Sequence, residues 1–283
     1  MSGSFTRRNP TDGTLLHGRV LAAPSRARAS LAIVHGLGEH GGRYAPVADA
    51  LAARGLAVVS LDLHGHGRTP GRRGHIAHYR RLHEDVDLLV AEARARYPDI
   101  PLSLWGHSMG GGLVLDYMLD SGLNGGAGEV SGVIATAPAL RPVELPNRFA
   151  LALLRLIARV YPAFGLDKGI NPDKISTRAR ERARYHDDPL VHGRVGVRLG
   201  LGIIDAGRRA LASAARFPVP VLLLHGRGDR LTDFAASAAF AEACPRCNFH
   251  PFADVEHELH NDTSRGRVVE LIDAFTRSVA KVS

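Results

Sequence analysis

The run Trp105-Gly106-His107-Ser108-Met109-Gly110-Gly111-Gly112 constrains this chain more than any other stretch. It follows a short β-prone segment, 102–105, and leads into helical periodicity over 111–120. A strand that turns straight into a helix needs a sharp, strained bend, and glycines at 106 and 110 remove the Cβ atoms that would clash inside it. The G-x-S-x-G spacing therefore presents Ser108 at the end of a sheet, next to the positive end of a helix. A developing oxyanion would be favoured there, with the Met109 N–H as one donor.

The surrounding pattern supplies the sheet. β-rich apolar runs at 31–35, 57–63, 102–105, 132–137, 219–225 and 248–253 alternate with helical stretches such as 83–97, which predicts a mostly parallel sheet with helices on both faces. An alternating stretch at 13–23 reads as an edge hairpin or ribbon ahead of the parallel part. The rhythm breaks once, over 139–216, where helical periodicity continues without a convincing strand. That interval is too long for an ordinary connection and reads as a helical cap inserted between two parts of one core, 1–138 and 217–283.

A chain of 283 residues with 45% hydrophobic and 23% charged residues can bury a large core. Two cysteines, Cys244 and Cys247, cannot staple it, so a disulfide scaffold is excluded and a reducing compartment is permitted. Their C-x-x-C spacing, without a second pair, reads as incidental. The glycine-separated His64 and His66, with His75, His78 and His83 following, read as loop geometry rather than a metal cluster, and no metal is expected. The N-terminal arginine pair has no apolar run after it, which argues against an export signal, and no stretch is long and apolar enough to span a bilayer. The expected setting is cytoplasmic.

The net charge of +8 has a location. Residues 139–216 hold 15 Lys or Arg against 7 Asp or Glu, and the rest of the chain balances. Few aromatic residues interleave with that charge, so nucleic acid is not the expected partner. The apolar, arginine-bearing stretch 147–164, in which Leu151, Leu154, Ile157 and Tyr161 share a face, points instead to packing over a site and to peripheral contact with anionic membrane surfaces.

Serine at its ordinary pKa is a poor nucleophile, so Ser108 calls for a histidine base and an acid to orient it, in the chain order Ser, acid, His. Asp229 follows the 219–225 strand, at the end where catalytic groups gather in such sheets. Asp233 competes with it but reads as the cap of a helix starting near Phe234. His257 comes first in the loop after the last strand and leads His260, while His250 reads as a strand residue. The second oxyanion donor belongs to the loop after 31–35, where Leu37 stands in His35-Gly36-Leu37-Gly38.

That loop continues Glu39-His40-Gly41-Gly42-Arg43-Tyr44. With the GHSMGG turn, Asp62-Leu63-His64-Gly65-His66-Gly67, Gly71-Arg72-Arg73-Gly74, Asp188-Pro189-Leu190, a late acid, and a base followed by a second histidine three residues on, the chain resembles the monoglyceride lipase branch of the α/β-hydrolase superfamily over essentially its whole length. The resemblance implies Ser108, Asp229 and His257 as the triad and Leu37 and Met109 as oxyanion donors. It further implies that Glu39, Arg43 and His260 line a polar pocket for glycerol, with Tyr185 reaching in from the cap. The activity it implies is cofactor-free hydrolysis of monoacylglycerols through an acyl-enzyme. A lysophospholipase or general carboxylesterase would share every catalytic residue, and a non-catalytic ligand-binding protein is the alternative of another class. Two departures stand out: Thr232 replaces a cysteine that mammalian relatives carry just after the acid, and Thr69 replaces a serine after the HGHG turn.

Overall fold

The computed structural model describes residues 3–123, 130–167 and 170–280. Its main sheet has eight strands in the order β1-β2-β4-β3-β5-β6-β9-β10. These are β1 (Gly3–Arg8), β2 (Leu15–Ala22), β3 (Ala29–Val34), β4 (Leu56–Leu61), β5 (Leu102–His107), β6 (Gly132–Thr136), β9 (Val221–Gly226) and β10 (Cys247–Phe252). From β4 to β10 every pairing is parallel, and β1 and β2 run antiparallel at one edge. The mostly parallel sheet expected from the apolar rhythm is present.

Successive strand residues point to opposite faces, and the two cores follow that period. Ala32, Val34, Val133, Ala135, Val221 and Leu223 enter one core, under α2 (Arg80–Arg96), α3 (Met109–Leu123) and α7 (Phe234–Ala243). Leu31, Ile33, Ile134, Leu222 and Leu224 enter the other, under α1 (Ala45–Ala52) and α8 (Arg265–Val279). Both faces of the central strands are buried, which is why they read as continuous apolar runs.

Two local expectations are corrected. The edge hairpin does not lie within 13–23: β2 is one strand, and its partner is β1 upstream, closed by a turn in which Asn9 N–H donates to Thr14 O at 2.8 Å. β1 has only Phe5 as a large apolar residue, so its period carried no signal. The 139–216 interval is also not free of strand. Besides α4 (Arg148–Val160), α5 (Ala179–His186) and α6 (Val197–Ser213), it holds an antiparallel ribbon of β7 (Gly165–Asp167) and β8 (Arg194–Gly196), three residues each and too short to show a period. α6 packs on α3, and Leu151 and Leu154 of α4 join Val197 and Leu201 of α6 in a third, small core. Tyr161, expected on that packed face, is 56% exposed.

Candidate active site

The turn between β5 and α3 has the strained geometry its glycines allow. Ser108 sits at φ +54°, left-handed backbone that a non-glycine residue rarely adopts. A Cβ on Gly106 would run into Gly110 O, and one on Gly110 into the carbonyls of Val34 and His35. The bend is held by Ser108 N–H donating to Thr136 O (3.0 Å) and Ala139 N–H donating to Ser108 O (2.8 Å). The strain is thus locked by neighbouring strand ends, and Ser108 is left 6% exposed.

Asp229, in the loop after β9, meets His257, in the loop after β10. His257 Nδ1 donates to Asp229 Oδ2 at 2.7 Å. The same oxygen accepts from Thr232 Oγ1 (2.8 Å) and faces His225 Nε2 (3.1 Å), while Oδ1 accepts the N–H groups of Leu231 (2.7 Å) and Thr232 (3.0 Å). Burial alone would push the Asp229 carboxyl up, but the facing imidazoles and these donors hold it well below the ordinary carboxylate range. For His257, burial disfavours the imidazolium, yet the Asp229 charge and hydrogen bond outweigh it and the pKa lies above its ordinary value. His257 Nε2 has no protein partner. Asp233 caps α7 by accepting from Ala235 N–H and takes no part.

Two cavities meet at Ser108. One, of about 330 Å³, is lined by Leu37, Met109, Leu154, Phe164, Leu201 and Ile204 among others, and is almost wholly apolar. The other, of about 10 Å³, has room for about one water and is lined by Glu39, His107, Tyr185, His257 and Glu258. Ser108 and Leu37 belong to both. The apolar side chains of the larger cavity come mainly from the 139–216 segment, as does Tyr185 in the smaller one.

Behind the small cavity stands a buried ion cluster. Glu39 accepts from Gly36 N–H (2.6 Å), Tyr44 Oη (2.9 Å) and Arg43 Nε (3.0 Å). Arg43 also donates to both oxygens of Glu258 (2.8 and 2.7 Å), which takes a third bond from Asn261 (2.9 Å), and the guanidinium lies 4.6 Å from the Tyr185 ring centre. Burial raises the Glu39 carboxyl, and Arg43 overcomes it and drives the group far below its usual range. Glu258 is raised, by burial and by the nearby Glu39 charge.

The expected pocket residues therefore separate. Glu39 and Tyr185 line the small cavity; Arg43 stands behind it as the tie between two carboxylates. His260 is fully buried, stacked on Tyr44 at 4.6 Å and edge-on to Trp105 and His107, and does not reach the cavity. Burial pushes its pKa down to about 3. Glu258 and His225 were not anticipated. Glu258 directly follows His257, but its burial among Arg43 and Asn261 is a product of the fold and left no signal in the sequence. Thr232 puts a hydroxyl on Asp229, and Thr69 bridges the Asp62 carbonyl and the His17 N–H. Cys244 and Cys247 are free, and burial raises both thiols, Cys247 to about 12.

The sequence profile of the family described as serine aminopeptidase, S33 (Hydrolase_4) matches residues 25–264. The chain is 30% identical over 254 residues to a monoacylglycerol lipase of Mycolicibacterium smegmatis, covering 88% of each. It is 28% identical to an uncharacterized abhydrolase domain-containing protein of Dictyostelium discoideum, over 96% of this chain but only 29% of that much longer protein. Among solved structures, a monoacylglycerol lipase of Paleococcus ferrophilus superposes with a TM-score of 0.82 at 31% identity, covering 93% of this chain and 99% of the other.

Proposed function

Because the chain belongs to the serine aminopeptidase S33 family, within the monoacylglycerol lipase branch of the α/β-hydrolases, we propose that it hydrolyses monoacylglycerols to glycerol and fatty acid, with Ser108, His257 and Asp229 as its triad. One observation carries the substrate: an apolar cavity and a small polar one share Ser108. An ester placed across that serine has its acyl chain on the apolar side, where burial contributes about 0.8 kcal/mol per methylene, and a small hydroxylated alcohol on the other.

Ser108 Oγ attacks the ester carbonyl as His257 Nε2 takes its proton, and the ionised Asp229 stabilises the imidazolium. The N–H groups of Leu37 and Met109 receive the oxyanion. Collapse of the tetrahedral intermediate breaks the bond to the alcohol oxygen, which leaves with the proton from His257. Water then repeats the sequence on the acyl-serine. Glu39 accepts a glycerol hydroxyl, and Tyr185 bounds the pocket from the 139–216 cap. A cavity with room for one water cannot seat glycerol, so the cap side, with Ile170, Ile175 and Tyr185, withdraws on binding.

The reading extends to an anionic membrane surface as the place where substrate is met. Phe149, Leu153, Leu156 and Val160 project from one face of α4, each more than half exposed, beside Arg148, Arg155 and Arg159. No helix among the described residues is long and apolar enough to cross a membrane.

The test compares a monoacylglycerol, the matching diacylglycerol, a lysophospholipid and a short aryl ester, using wild type and Ser108→Ala. Preference for the monoacylglycerol, lost in the variant, is expected. Activity on the aryl ester alone would discard the glycerol pocket, a lysophospholipid preference would favour the phospholipase, and hydrolysis of none would leave a ligand-binding protein.

A further inference from the structure

Asp229 is contacted by two imidazoles, and only one belongs to the triad. His225, near the end of β9, is completely buried, with no solvent-accessible side-chain surface. Its Nε2 lies 3.1 Å from Asp229 Oδ2 and its Nδ1 lies 2.7 Å from Ser237 Oγ. A carboxylate without a proton only accepts, so Nε2 carries hydrogen; in the neutral ring Nδ1 is then the acceptor of a hydrogen bond donated by the Ser237 hydroxyl. Ser237 is itself fully buried in the first turns of α7, and Phe234 of the same helix packs edge-on to the His225 ring at 5.6 Å. The ring is therefore held in place and in tautomer by a helix that contributes nothing to either cavity.

We propose that His225 is a positioning residue for the triad: oriented by Ser237, it places a second imidazole N–H on Asp229 Oδ2 and so fixes the oxygen on which His257 turns. The inference rests on the hydrolytic reading of Ser108, His257 and Asp229. Physically, each donor on Oδ2 restricts the rotation of the carboxylate and shares its charge. With His225 removed, Oδ2 keeps Thr232 and His257 only. The carboxylate becomes looser, which slows proton transfer, and more of its charge falls on His257, which makes that imidazole more basic. Substrate binding is untouched, because His225 lines neither cavity. The other groups facing His257 are Glu39, His107, Glu258 and His260, and they stay in place.

The two ring nitrogens can be separated by substitution. In His225→Gln the side-chain amide reaches the Nε2 position and keeps a donor on Asp229; in His225→Asn the shorter amide reaches only the Nδ1 position and keeps Ser237 at the expense of Asp229. These variants and Ser237→Ala are compared with wild type for kcat, KM and the pH dependence of kcat/KM on a chromogenic aryl ester, alongside thermal midpoints. The expected result is that His225→Asn lowers kcat roughly tenfold with KM unchanged and moves the acidic limb up by a few tenths of a pH unit. His225→Gln recovers most of that loss, and Ser237→Ala lies between. Equal losses in the Gln and Asn variants with an unmoved limb would reduce His225 to a packing residue and overturn the proposal, as would wild-type kinetics in His225→Asn. Should His225→Asn not fold, the limb of Ser237→Ala decides: moved up, it supports the proposal; unmoved, it overturns it. An inactive wild type overturns the hydrolytic reading and this inference together, whereas an active wild type with insensitive variants overturns only the role of His225.

Discussion

Ser108, Asp229 and His257 differ in what environment asks of them. Ser108 is defined by backbone, because a left-handed serine between glycines has nowhere to hide its hydroxyl. Asp229 and His257 are defined by each other across 28 residues of chain: the carboxyl is pulled down and the imidazole pushed up, despite burial working against both charges. A base must be neutral to take the serine proton, so kcat/KM should rise with pH through the His257 pKa, with its half-rise above the ordinary 6.5. A pH profile on the aryl ester checks this, and a limb below 6.5 would mean that Asp229 does not stabilise the imidazolium. The three residue types could be picked from sequence because the glycine spacing and the ends of apolar runs mark them. Arg43, Glu258 and His225 could not be assigned their parts, since their partners are 215 and 4 residues away and only the folded loops choose among them.

At the scale of elements, α4 shows how a periodic pattern can be read and still leave its environment open. The stripe of leucines announces a helix with one apolar face, and Asn147 caps it by accepting from Phe149 and Ala150 N–H. The helix has two apolar faces. Leu151 and Leu154 pack on α6, and Phe149, Leu153, Leu156 and Val160 face outward. If that outer face meets lipid, the protein should sediment with vesicles containing anionic lipid more than with zwitterionic ones, and Leu153→Glu with Leu156→Glu should release it at low salt. Binding indifferent to lipid charge, salt and these substitutions would count against the membrane reading. Short elements were the least legible. β1 is nearly all polar and β7 and β8 have three residues each, so hydrogen bonding across the ribbon, not side-chain pattern, decides that they are strands.

Across the whole molecule, histidines are spent on the interior. His35, His66, His107 and His260 are all held below their ordinary pKa, chiefly because burial excludes the charged ring. Below pH 6.5 the unfolded chain takes protons that these rings refuse in the fold, so stability should fall as the medium is acidified, by up to about 1.4 kcal/mol per pH unit for each such ring. His64 and His257 are raised instead. Their contribution is fully present below the unfolded value and fades only as pH rises through the folded one, so it adds no slope in this window. Asp229, held low, keeps its contribution until pH drops beneath the unfolded carboxylate value. The thermal midpoint should therefore decline from pH 6.5 to 5, with the raised carboxyls of Asp85 and Glu258 working against the slope; a flat profile would show that the fold accepts the imidazole protons.

By itself the sequence determined the class of fold and the class of chemistry. Apolar runs of strand length alternating with helical periods leave a parallel sheet as the way to bury both faces of every strand, and a serine in a glycine-flanked strand-to-helix turn leaves nucleophilic catalysis as its use. These follow from local sterics and periodicity, which act over a few residues. The tertiary structure alone decided that Arg43 binds two carboxylates behind the pocket instead of lining it, that His260 is sealed from the cavity, and that a second histidine leans on Asp229. Those outcomes depend on which loops lie side by side at the ends of β3, β9 and β10, and burial and side-chain direction leave no period or spacing to read, even where the partners, like His225 and Asp229, stand four residues apart.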